Sequence, residues 1–274
     1  ISIDDITYLP ISVLRSKDGL PIRFTYKNDR KTSTKDIPTK LAEKFCSYEN
    51  NSKIYDWYPV VNIIENSRIS AYPNMKVEDL FTKRTLACHA KLLSLIEKYS
   101  SGAEKDLLLI AFTANLANCS KLVPPIKSRG MLSQGAWMTG FYIGETYIEN
   151  NVLHYFENRL KKAIKGKENY LDAILGNLGT DPVTSDFRIT NYDAKRIRLA
   201  NNSVDYVFTD PPYGDSVPYF EQSIIWNSWL KLSPDYSQEI VISDSNQLEK
   251  NISSFEKDIN SAISEIRRIL KDNK

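Results

Sequence analysis

Four consecutive residues, Asp210-Pro211-Pro212-Tyr213, follow directly on an apolar run in VDYVFTDPPYGDSVPYF, residues 204–220. Prolines fix φ near −65° and cannot donate to a sheet ladder, so they end a strand stiffly. They also hold the residues before them extended. The resulting turn presents fixed, unpaired carbonyls beside the Asp210 carboxylate. Tyr213 adds a flat ring, and Gly214 permits a sharp exit or a close ligand approach. A carboxylate and a carbonyl can each accept a hydrogen bond from one NH2 group. Together they draw the nitrogen lone pair out of conjugation and towards an electrophile. A ring stacked on the same planar group contributes about 1–3 kcal/mol. Such a site suits a planar base held by its exocyclic amine, and a base in a duplex must be flipped out to reach it. The competing reading is a plain turn at the end of a strand.

The elements that position this turn read as α/β. The run at 204–210 is nearly continuous in apolar residues, as expected of a central parallel strand covered on both faces. Asp210 then sits at its carboxyl end, where open α/β sheets place ligands. FEQSIIWNSWLKL predicts a helix with Ile225, Trp229 and Leu230 on one side. SFEKDINSAISEIRRILK predicts another, through Phe255, Ile259, Ile263, Ile266 and Leu270. SDFRITNYDA reads as a short strand closing on Asp193. Strand, acid and helix in repetition argue for a layered α/β architecture.

Upstream the pattern changes. Residues 1–76 read as an irregular, strand-containing region. It holds two short strands around a Lys17-Asp18-Gly19 turn, a polar loop from Lys27 and a short helix near Leu41. Residues 77–99 give the clearest helical period, through Leu86, Leu93 and Ile96, with His89 in a structural or exposed place. A second, mostly apolar helix follows from Ala103, then a glycine- and proline-bearing loop to Glu145, then an amphipathic helix over 147–164. The expected division is 1–76 accessory or target-recognition, 77–165 helical, and 166–274 catalytic.

The 274 residues carry a net charge of +2, which does not by itself declare a nucleic-acid binder. Local clusters are more telling. Lys127 and Arg129 lie near Trp137, Phe141 and Tyr142, a mixture that could contact phosphates and stack bases. Lys161 and Lys162 belong to another basic stretch; solvated faces and core-filling rings are the bland alternatives. Cys46, Cys88 and Cys119 are far apart, as are His89 and His154, so no metal site is expected. Dispersed cysteines fit reduced thiols and a cytoplasmic location. No apolar run reaches the roughly 18 residues of a membrane span, and the N-terminus lacks a signal-peptide pattern.

DPPY after an apolar strand resembles the catalytic motif of the S-adenosylmethionine-dependent amino-methyltransferases. NNSVDYVFTDPPYGDSVPYFEQSIIWNSWL, with VEDLFTKRTLACHAKLLSLI and NVLHYFENRLKKAIKGK, is similar to the large bacterial and archaeal adenine-specific DNA methylases over residues 55–274. The resemblance implies a partial Rossmann-like methyltransferase sheet. It implies catalytic roles for Asp210, Pro211, Pro212 and Tyr213, and cofactor contacts from Asp193, Ala194 and Asp210. The implied reaction is site-specific methyl transfer to adenine N6 in DNA, by in-line displacement without metal or covalent enzyme intermediate. The family's F-x-G-x-G cofactor loop is absent; LGNLGTDP at 175–182 has the wrong spacing. That loop is expected upstream of Ile1, in a longer parent protein, so the chain alone is expected to bind S-adenosylmethionine weakly or not at all. Two alternatives stay open: an RNA guanine-N2 methyltransferase, and a non-catalytic nucleic-acid-binding module.

Overall fold

A computed structural model describes residues 1–4, 6–28, 31–129, 133–177, 188–245 and 247–272. Ser2–Ile3 (β1) and Ile6–Thr7 (β2) form a small antiparallel pair. Pro10–Ser16 (β3) and Pro21–Asn28 (β4) form the expected hairpin, turning through Gly19 at φ +87°. Lys31–Asp36 (β5) pairs with β4, and Thr146–Asn150 (β6) pairs with the other edge of β3. The sheet order is β5-β4-β3-β6, antiparallel throughout.

Two of these strands depart from the sequence expectation. β5 falls in the polar loop predicted after Lys27. Its alternation is Thr and Lys, not apolar and polar, which suits an exposed edge strand. β6 takes the first residues of the helix predicted over 147–164. Tyr147, Ile148, Glu149 and Asn150 are all buried against β3, and sheet completion overrides helix periodicity there. The helix starts only after Asn151, whose Oδ1 accepts from the amides of Leu153 and His154 at 3.1 Å. It runs as Val152–Asn177 (α4).

Thr39–Asn51 (α1) packs on the sheet over Val13, Phe24 and Ile37. The helix predicted over 77–99 is split. A 3-10 turn covers Val77–Leu80, Phe81 is extended, and Thr82 caps Lys83–Tyr99 (α2) by accepting from the Thr85 amide at 3.1 Å. Gly102–Leu116 (α3), Tyr219–Trp229 (α5) and Ile252–Ile269 (α6) complete the helices. The largest core joins Ile63, Met75, Leu93, Phe112, Ile225 and Trp229, so it crosses the expected boundaries at 76 and 165. At its centre His89 is fully buried, with Nδ1 2.8 Å from the Thr85 carbonyl and Nε2 3.4 Å from Asn115 Nδ2. Burial pushes its pKa down to about 4, so the ring is neutral.

A buried ion cluster ties sheet to helices. Arg15 donates to both carboxylate oxygens of Glu49, at 2.7 and 2.9 Å, and lies 2.7 Å from Glu149, which also pairs with Arg84. Neither Arg15 nor Glu149 is marked by any motif.

The molecule is mixed α and β, but the predicted central parallel strand is not formed. Residues 204–210 make one parallel rung, Val204 with Leu270, and pair with no other described segment. Tyr206 and Phe208 are 76 % and 85 % exposed instead of covered. A parallel strand is stable when neighbours cover both faces, and among the described residues only the start of this run has one. The short strand predicted before Asp193 is also absent over 188–193; its first three residues lie outside the described residues. No described helix is long and apolar enough to cross a membrane. No group of three or more His, Cys, Asp or Glu among the described residues could hold a metal ion.

Candidate functional site

α6 organises the approach to Asp210. Arg268 donates to the carbonyls of Ile197 (2.7 Å) and Leu199 (2.9 Å) and to Asn201 Oδ1 (2.7 Å). Glu265 accepts from the Ile197 amide, and Asp258 pairs with Lys195 at 3.2 Å. This lays residues 195–201 along the helix. Val204 then takes its rung: its amide donates to the Ile269 carbonyl and its own carbonyl accepts from Lys271. Lys271 also holds Asp205 at 3.0 Å.

Beyond that rung the chain reaches the four candidate residues. Asp210, Pro211 and Tyr213 are exposed and Pro212 is half-buried. The Tyr213 hydroxyl donates to Asp210 Oδ1 at 2.7 Å, which raises the Tyr213 pKa. The carbonyls of Asp210, Pro211 and Pro212 accept no hydrogen bond among the described residues. The acceptors are unpaired, as expected. Placement at the mouth of a buried strand is not met: Asp210 is exposed, and the run before it is exposed at Tyr206 and Phe208.

The exit from the turn is better anchored than the turn itself. Gly214 has φ +66°, a conformation that disfavours any side chain, and a Cβ there would meet Ile242 at 3.4 Å. Its carbonyl accepts from the Ile242 amide, and Asp215 pairs with Arg68. Helix α5 follows with Glu221 in its first turn, buried, accepting from Asn66 Nδ2 at 2.8 Å. Glu239 accepts from the Phe220 amide at 3.1 Å, while its other oxygen is buried without a partner among the described residues. Burial, then the nearby Glu221 charge, pushes Glu239 up to about 7. Sequence reasoning missed these supports. Arg68 and Asn66 lie about 150 residues from their partners, and no spacing rule links them.

The remaining candidates are not gathered at Asp210. The Asp193 carboxylate accepts from the Lys195 amide at 2.9 Å in a local turn, and Ala194 is exposed. Neither has a described hydrogen bond or ion pair with residues 210–213. Lys127 and Arg129 form a 3-10 turn between Ile126 and the loop beyond. Of the rings near them, Phe141 is core and Trp137 packs on Trp226; Tyr142 alone is exposed. Lys161 and Lys162 are exposed on α4, with Lys161 paired to Glu157 one turn earlier. LGNLGTDP extends from α4 into residues outside those described.

Comparison with known proteins gave no matching family model, no matching curated protein and no matching solved structure.

Proposed function

We propose that the Asp210–Gly214 turn receives the exocyclic amine of a flipped base, adenine N6 in DNA, for methylation by S-adenosylmethionine. The supporting observation is the set of unpaired carbonyls at 210–212 beside a carboxylate whose only described partner is a tyrosine hydroxyl. In this reading Asp210 accepts one amine N–H and the Pro211 carbonyl the other. The amine displaces the Tyr213 hydroxyl from Asp210, and the freed ring stacks on the base.

Among the described residues the two cofactor candidates are not gathered with the turn. The Asp193 carboxylate is engaged by its own turn, and Ala194 is exposed. The chain is therefore read as supplying the acceptor side of the reaction.

The test is discrimination by the amine alone. A single-stranded oligonucleotide bearing one adenine is compared with the same strand bearing purine, which lacks the 6-amino group. The adenine strand is expected to bind at least about tenfold tighter, as hydrogen bonds to a charged group warrant. Asp210→Ala is expected to bind both alike. Equal binding of both strands by the unaltered chain overturns the reading. The same comparison of guanine with inosine in RNA tests the guanine-N2 alternative. Exposure of Asp210 favours the second reading, a non-catalytic nucleic-acid-binding module. That module binds DNA, but with no preference for the amine.

A further inference from the structure

We propose that a second site, separate from Asp210, binds a phosphate group where the β3–β4 turn, the end of α1 and the start of α2 meet. These elements line a half-open cavity of about 180 Å³, room for a group the size of several waters. Its walls include Gly19, Thr82, Lys83, Lys121 and Tyr147.

Three independent features point to an anion there. First, the 17-residue helix α2 starts in the cavity wall. The Thr85 amide is capped by Thr82 Oγ1 and the Leu86 amide by the Thr82 carbonyl, but the amides of Lys83 and Arg84 have no acceptor among the described residues. Orphan amides at the positive end of a helix dipole favour negative groups. Second, Tyr147 is 1 % exposed, and its hydroxyl makes no hydrogen bond among the described residues. The position a Cβ would take on Gly19 is 3.8 Å from that hydroxyl, so the glycine leaves it open on the cavity side. The ring is buried while the residue lines the cavity, so its unpartnered hydroxyl is free to donate to a ligand there. Third, Lys121 and Lys83 each use one N–H on a carbonyl, Asp79 at 2.9 Å and Asn50 at 2.8 Å, and keep others to donate. Burial holds the Lys121 ammonium below its ordinary pKa, a penalty that a neighbouring anion relieves.

The occupant follows from charge and donor count. In the wall Arg15 is paired with Glu49, and Lys17 is paired with Glu145; against the one remaining carboxylate, Asp18, the two ammonium groups of Lys83 and Lys121 leave the cavity positive. Donors from backbone, phenol and ammonium suit a tetrahedral oxyanion, with acceptors on every side. The group can come from free phosphate or from a nucleic-acid backbone.

Inorganic phosphate is titrated into the full chain, with thermal unfolding and 31P line width as readouts and chloride at matched ionic strength as reference. Phosphate is expected to raise Tm saturably and broaden its own resonance. Lys121→Met and Tyr147→Phe are each expected to weaken it about tenfold. Tyr147→Phe removes only an unpartnered hydroxyl, so the fold is kept and the result stays readable. An equal response to phosphate and chloride, or undiminished affinity in either variant, overturns the site. Duplex DNA that displaces phosphate assigns the site to backbone phosphate; DNA that leaves it bound assigns free phosphate or a phosphomonoester. Asp210→Ala is expected to leave phosphate binding unchanged, so this site and the amine site fail separately.

Discussion

Two groups of aromatic rings are handled in opposite ways. Phe81, His89, Phe112 and Trp229 meet at centroid distances between 5.4 and 5.9 Å, and none is more than 3 % exposed. Tyr206, Phe208 and Tyr213 lie within ten residues of one another, and each is at least 60 % exposed. The first group stabilises the fold by area buried and by edge-to-face geometry. The second contributes almost nothing to it. Under the proposed function, these exposed rings beside unpaired carbonyls are the surface that the base would cover. The fold is therefore closed around α2 and α3 and open at the candidate site.

The contrast is sharpest in stability. Phe112→Ala is expected to cost about 3–5 kcal/mol in denaturant unfolding. Next in size is a pH effect at the same aromatic centre. His89 has a folded pKa of about 4 against an ordinary 6.5, so the unfolded chain binds the proton more readily. His89 thus contributes stability in full above pH 6.5 and loses it as pH falls towards 4, by about 3 kcal/mol. Unfolding measured across that range should lose this slope in His89→Gln. Gly214→Ala, at φ +66°, is expected to cost about 1–2 kcal/mol, because a left-handed residue acquires a Cβ. A smaller effect of opposite sign belongs to Glu239. Its raised pKa favours folding below about 4.5 and gives that up as pH rises through about 7, so Glu239→Gln should flatten the decline. Smallest is Phe208→Ala, within about 0.5 kcal/mol of the parent. A Phe208 cost comparable with that of Phe112 would erase the distinction between closed and open regions.

How far the sequence was legible follows the same line. The β3–β4 hairpin, the body of α2 and the helices α5 and α6 carry local signals: a Gly turn and a 3.6-residue period. Those signals survive folding because neighbouring residues produce them. β5 was missed because an edge strand of Thr and Lys has no apolar alternation. β6 was missed because its pairing with β3 spans about 130 residues, which no window contains. The DPPY turn was legible in its unpaired carbonyls, since prolines interrupt a ladder wherever they sit. Its burial was not, because the covering of a strand depends on which segments lie beside it. Arg15 with Glu49 and Glu149 left no trace for a similar reason: ionic partners are chosen in space, not in spacing.

Arg268 deserves a last consequence. One guanidinium, two residues before Leu270, which carries the Val204 rung, grips three points between Ile197 and Asn201. Asp193 and Asp210 thus share a single latch, though neither touches it. Loosening that latch should shorten the folded lifetime of both stretches together, and trypsin would register it first at Arg196 and Arg198 while the aromatic centre stays intact.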